Sequence, residues 1–241
     1  MKSFLVSYKL SLILLIILFS QSVCANKNEG FINTKIQVDF RSMHVWRGIA
    51  TSYVPSIEPS FEINQNNYKT GIWFAQSIDG NYTELDLYLT YNYRNFSFTI
   101  YDYYCPPSIE ASSEIANYER NSTKHTIELD LAYLGSQEFP LKVLVATMIY
   151  GDDINTSTNK NYYSTYLEFA YSTEIDDNSI NLFIGLTPFK SYYAEKPGII
   201  NAGLTVSRNI NLHKSITIPF QASLVTNPIT NSLFINFGFT L

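Results

Sequence analysis

The chain has 241 residues, of which 46% are hydrophobic and 15% aromatic, with 19 Tyr and 16 Phe, but only 15% are charged. Soluble domains usually carry about a quarter charged residues, and disorder needs low hydrophobicity with high net charge, so disorder is excluded over most of the length. Two Cys cannot staple a small secreted scaffold, and a net charge of −5 without any basic cluster leaves nucleic acid no surface to bind.

The first residues read as an export signal. Lys2 and Lys9 precede an apolar run from Leu10 to Phe19, and Val23 and Ala25 stand at −3 and −1 of a cleavable bond before Asn26. A charged start, a short apolar core and small residues at the cut define a secretory signal peptide, here residues 1–25. The run is too short for a transmembrane helix, which needs about 20 residues. Acylation at Cys24 is the weaker alternative, because Val23 stands where a lipoprotein has a small residue. Cleavage leaves residues 26–241 as one domain, with 14 basic against 21 acidic side chains and Cys105 as its lone cysteine.

From Thr34 onward apolar and polar residues alternate with period two. Leu85, Leu87, Leu89, Tyr91 and Tyr93 interleave with Glu84, Asp86, Tyr88, Thr90 and Asn92. Ile127, Leu129, Leu131 and Tyr133 do the same with Thr126, Glu128, Asp130 and Ala132, and the chain closes on Leu233, Ile235, Phe237, Phe239 and Leu241. Helical spacing is nowhere comparable, so the chain is all-β. Twelve strands are expected near 34–47, 55–63, 69–77, 82–93, 95–104, 124–134, 141–150, 161–171, 179–188, 198–208, 214–224 and 231–241. Connections after the even-numbered strands are short. Those after strands 1, 5, 7 and 9 are longer, while those after 3 and 11 are short. Strands of about ten residues, an even count and this alternation predict a transmembrane up-and-down antiparallel β-barrel in the bacterial outer membrane.

Ring placement supports the same architecture. Tyr91, Tyr93, Tyr133, Phe169, Tyr171, Phe237 and Phe239 fall at the lower ends of even strands, on the apolar face, and Phe96 and Phe98 open the strand that rises beside them. Trp46, Tyr163 and Phe189 lie near the outer ends. Two aromatic girdles around an aliphatic band suit a lipid-facing surface. A soluble sandwich or lipocalin-like barrel, with its apolar face inward, has no need of rings sorted by strand end.

Several stretches carry a family resemblance: Val-Trp-Arg-Gly-Ile-Ala-Thr-Ser at 45–52, Pro-Ser-Ile-Glu-Pro-Ser-Phe-Glu at 55–62, Gly-Ile-Trp-Phe-Ala at 71–75 and Glu-Leu-Asp-Leu-Tyr at 84–88. With Phe-Thr-Ile-Tyr-Asp-Tyr-Tyr at 98–104 followed by Pro106, and the strand at 163–171, they resemble the TorF family of porins, most clearly over residues 36–106. The resemblance implies an outer-membrane barrel engaged in transport of an unspecified solute. One departure from bacterial barrels generally is the last residue, Leu241 instead of Phe, with Phe239 two positions back on the same face.

In such a barrel the polar face lines the lumen, because charge facing lipid at mid-depth costs about 2–4 kcal/mol. The lumen or constriction candidates are Arg41, Arg47, Glu58, Glu62, Glu84, Asp86, Glu128, Asp130 and Glu168, with Lys35, Asp39 and Lys142 on the same face. Structurally they make a paired network, Lys35 and Arg41 against Glu58 and Glu62. Functionally, rings of Asp and Glu select cations. Tyr88, Tyr101, Tyr103, Tyr150 and Tyr166 share that face, either filling the barrel or stacking solutes such as sugar rings. The three His (His44, His125 and His213) lie at different heights, so no metal site, cofactor or enzymatic role is expected. His44 and Ser42 share the outward face of the first strand, where a membrane-barrel lipase would carry its pair, but lack the third group that a hydrolase needs.

The expectation is therefore a porin-like channel for passive diffusion of small solutes, with cation preference. Its partners would be outer-membrane lipid, the barrel-assembly machinery during biogenesis and the small solutes themselves. The alternative is a closed barrel acting as a ligand-binding or structural surface protein.

Overall fold

The computed structural model describes residues 32–107, 114–213 and 216–241. Residues 1–25, expected to be an export signal, lie outside the described residues. In chain order the strands are β1 (Asn33–Arg41), β2 (His44–Trp46), β3 (Ile49–Ser52), β4 (Ser56–Gln65), β5 (Tyr68–Ser77), β6 (Thr83–Tyr93), β7 (Phe96–Tyr104) and β8 (His125–Tyr133). They continue as β9 (Leu141–Gly151), β10 (Ile154–Asn155), β11 (Lys160–Asn161), β12 (Thr165–Ile175), β13 (Asn178–Thr187), β14 (Gly198–His213), β15 (Ile216–Asn227) and β16 (Ser232–Thr240).

Twelve of these strands close into one antiparallel barrel, each paired with its neighbours in the chain, and β1 seals the ring against β16. The seam runs Asp39 opposite Thr240, Phe40 opposite Phe239 and Arg41 opposite Gly238. Closure joins the two end strands, whose facing edges an open sheet would leave as unpaired N–H and C=O groups, through a short seam extended by the mutual Val38–Leu241 backbone bonds at 3.0 Å. The remaining strands form two small hairpins, β2–β3 and β10–β11, inside the connections that follow β1 and β9.

Period two sorts the side chains between the two faces of the wall. Outward positions are aliphatic and exposed: Ile36, Leu87, Leu89, Leu129, Leu131, Leu182, Ile184 and Ile235 each show 40% or more of their surface. Inward positions mix polar, small and tyrosine side chains with a few apolar ones, and Ala75, Glu128, Ala146 and Ile200 are wholly buried. This polarity is the reverse of a soluble barrel, which hides its apolar face. Soluble proteins seldom expose contiguous apolar patches beyond a few hundred Å².

Large inner rings lie over glycines of the adjacent strand. Tyr166 lies so close over Gly185 that a Cβ there would fall 2.1 Å from its hydroxyl oxygen, and Tyr88 covers Gly71 in the same way at 2.5 Å. Paired large and small residues thus fill the interior without forcing the wall apart.

Two local features depart from uniform alternation. The first strand, expected to run to residue 47, stops at Arg41. There Ser42 N–H donates to Phe237 O at 2.8 Å, and the chain leaves the wall to form β2–β3. In β9 a bulge shifts the register, so that Glu128 faces Met148 while Ile127 faces Tyr150. One extra residue reverses the side-chain parity beyond it. Tyr150 therefore lies on the outer side with Ile127 and not among the inner rings, where alternation had placed it. Its hydroxyl donates to Tyr118 O at 2.6 Å.

Candidate functional site

The β2–β3 hairpin turns on Arg47 and Gly48, both at positive φ (49° and 76°), the conformation of a two-residue hairpin turn. It does not stand at the rim. Its tip crosses the lumen from β1 to β8, on the opposite wall of the ring. Arg47 Nη1 and Nη2 donate to the two carboxylate oxygens of Glu128 at 2.6 and 2.8 Å, and Arg47 also donates to the Tyr193 hydroxyl. The guanidinium lies 4.6 Å over the Trp46 ring and 4.7 Å over Tyr166. Glu128 accepts a further bond from the Tyr103 hydroxyl at 2.8 Å.

A bidentate guanidinium–carboxylate pair is stronger and more directional than a single charged contact. Removing one partner of such a buried pair is costly, because it strands the other charge away from water. On the far side of the tip, Asn227 Nδ2 donates to Gly48 O at 3.2 Å, and a Cβ on Gly48 would lie 1.9 Å from Ile200 O. The hairpin is thus held from β8, β14 and β15 together, around a buried cluster of Ala146, Met148, Tyr166, Tyr193 and Ile200.

The other inward charges divide into two groups. On β1, β4 and β5 acids meet cations. Arg41 Nη2 donates to Asp39 at 2.8 Å and Arg41 Nε lies 3.9 Å from Glu58, while Lys69 lies 3.2 Å from Glu62. His44 Nδ1 is 2.9 Å from Glu58, and the Tyr88 hydroxyl donates to Glu62 at 2.9 Å. On β6, β8 and β12, by contrast, Glu84, Asp86, Asp130 and Glu168 have no ion pair among the described residues. Tyrosines partner two of them, Tyr82 to Glu84 and Tyr166 to Glu168. Asp86 Oδ1 and Asp130 Oδ1 are buried without a hydrogen-bond partner among the described groups.

Eight of the nine lumen candidates therefore sit on the inner wall, with Arg47 brought to them by the hairpin. Lys35 stands opposite Glu62 in register, although Lys69 is the cation that bonds it. The girdle candidates Tyr91, Tyr93, Phe169, Tyr171, Phe237 and Phe239 are exposed outside the wall, and Tyr133 packs beside Phe96 at 5.4 Å. Trp46 is the exception. Its ring lies inside the barrel, 5.9 Å from Tyr103 and 5.7 Å from Tyr193, because the strand that was to carry it outward ends five residues earlier. Ser42 and His44 also turn inward, Ser42 to Asn236 at 3.0 Å and His44 between Trp73 and Tyr82.

Alternation does not single out Tyr193, since the loop that carries it, residues 188–197, has no period to read, although Phe189 within it is one of the rings expected near the outer ends. The loop is nonetheless fixed. Tyr192 N–H donates to Ser164 Oγ at 2.7 Å, and that hydroxyl donates to the buried Asp153 at 2.5 Å. Burial pushes the Asp153 carboxyl up, against the bonds from Ser164 that hold it down. Among the described residues no three His, Cys, Asp or Glu side chains are grouped to hold a metal ion.

No family model matches the chain and no curated protein does, so the TorF-type resemblance rests on the quoted residues alone. Among solved structures the chain is similar to the crystal structure of an outer membrane channel from Pseudomonas putida F1. The match has 13% identity and a TM-score of 0.37, and covers 89% of this chain and 96% of that one.

Proposed function

We propose that the protein is an outer-membrane channel for small solutes with a preference for cations, and that the β2–β3 hairpin is its internal constriction. Residues 1–25 serve as the cleaved export signal, and the exposed aliphatic belt meets outer-membrane lipid after insertion by the barrel-assembly machinery. The observation that carries the reading is the inverted wall: apolar residues outside, and carboxylates in excess of their ion-paired cations inside. An excess of Asp and Glu along a low-dielectric passage concentrates cations and repels anions. The role assigned is transport, with no catalytic group and no cofactor.

Planar-bilayer recording tests it. The wild-type protein should give small, cation-preferring conductance steps. Arg47→Ala, which frees the hairpin tip from Glu128, should enlarge them. Replacing Glu84 by Gln together with Asp86 by Asn should lower the cation preference. Absence of steps from both wild type and Arg47→Ala would sink the channel reading. It would favour the second one, a closed barrel that binds a ligand or serves as a surface protein, which the packed cluster around Arg47 supports.

A further inference from the structure

On the loop side of the hairpin lies a cavity of about 270 Å³, bordered by Trp46, Tyr82, Tyr103, Tyr192 and Glu84. Four rings and a carboxylate around one space suit few ligands. The hydroxyl donors are largely committed: Tyr82 donates to Glu84, and Tyr103 to Glu128 at 2.8 Å. Lys124, also at the border, is held by Asp152 at 3.0 Å. What the cavity offers is therefore chiefly π surface and negative charge, beside the hydroxyl of Thr51, which is buried without a partner among the described groups. A sugar, which needs donors and acceptors around its ring, is poorly matched.

A cation is well matched. Glu84 has no ion pair among the described residues, and Asp86 follows it on the same face of β6. The protein already shows the pairing in its own chain, where the Arg47 guanidinium rests 4.6 Å over Trp46. That charge is neutralised by Glu128, so it does not oppose a second cation nearby. The wall is also set in advance. Tyr192 exposes 53% of its surface, yet its backbone is fixed through Ser164 to the buried Asp153. Its ring packs edge-on to Trp46 at 6.4 Å and to Tyr193 at 5.7 Å, and a wall set in advance loses little entropy on binding.

The geometry points to a binding site for a small organic cation, an alkylammonium or quaternary ammonium head held against Trp46, Tyr82, Tyr103 and Tyr192 with Glu84 as its counter-charge. Desolvated cation–π contacts supply affinity that an uncharged molecule of the same shape cannot obtain. The site does not depend on conduction, because binding is read in detergent whether or not the lumen passes ions.

Calorimetric titration of the folded protein in micelles, with choline and its uncharged isostere 3,3-dimethyl-1-butanol, provides the test. Choline should bind at one site about tenfold more tightly than the alcohol. Glu84→Gln and Tyr192→Leu should each weaken choline several-fold while keeping the heat-dependent gel shift of a folded barrel. Tyr192 is an exposed loop residue, so its replacement leaves the wall intact even if the Glu84 variant folds poorly. Equal binding of the two probes, no binding of either, displacement of choline by methyl glucoside, or wild-type affinity in the Tyr192 variant would each overturn the assignment.

Discussion

Arg47 and Gly48 occupy adjacent positive-φ positions, and what each tolerates differs. Arg47 stays there because its side chain gains two bonds to Glu128 and two aromatic faces. Gly48 has no side chain to gain anything, and backbone atoms of Ile200 fill the space a Cβ would need. A clash with backbone is not relieved by a rotamer change, so Gly48→Ala should lift the tip from its seat. Overpacking of this kind costs about 1–3 kcal/mol. The expected readout is a lower midpoint for the heat-dependent gel shift, with conductance raised as in Arg47→Ala. An unchanged midpoint and unchanged conductance would mean that the tip is not seated in solution. Arg47→Lys separates charge from shape, since an ammonium keeps the charge but loses the fork. It should recover only part of the wild-type midpoint.

At the scale of elements, the barrel strands were legible and the hairpin was not, for one reason. Alternation reports which face a residue is on but not which wall it belongs to. Leu85 to Tyr93 alternate against a single outward side, and their strand runs as expected. From Ile36 to Phe40 the apolar residues hold even positions, but Ser42 and His44 break that phase and Met43 and Val45 take odd ones. The slip marks where the wall strand ends, while the destination of the chain is set by bonds from Ser42 to Asn236 and Phe237. Those partners are almost two hundred residues away in sequence, beyond any local signal. The β9 bulge escaped similarly, because the extra residue is visible only against β8.

Outside the wall another long-range contact holds the connection after β7. The Tyr118 hydroxyl donates to Asp102 at 2.6 Å, and its ring stacks 4.0 Å from His125, which itself bonds Asp102 at 2.7 Å. A hydrogen bond to a charged group is worth about 1.5–3 kcal/mol. Tyr118→Ala should therefore expose the segment that holds Arg120 and speed tryptic cleavage there about tenfold in micelles, following the local opening energy. Cleavage at the wild-type rate would show that the remaining contacts suffice.

For the molecule as a whole, the decisive property is which way the wall faces. Leu129 sits midway along β8, outward and 46% exposed, between Ile100 and Thr147 in register. If water bathes that face, Leu129→Arg replaces one exposed residue by another, and such surface changes stay within about 0.5 kcal/mol. If lipid bathes it, an arginine at mid-depth costs about 2–4 kcal/mol. Reversible, urea-titrated folding into phosphatidylcholine vesicles distinguishes the two: a change of about twofold in the folding equilibrium if water bathes the face, against about 30-fold to 900-fold if lipid does. The membrane reading requires the larger loss for Leu129→Arg and a smaller one for arginine at Leu233, which lies at the end of its strand where headgroups and water can reach the charge. Equal, near-zero losses at both positions would place the apolar face in water and remove the premise on which a carboxylate-lined passage rests.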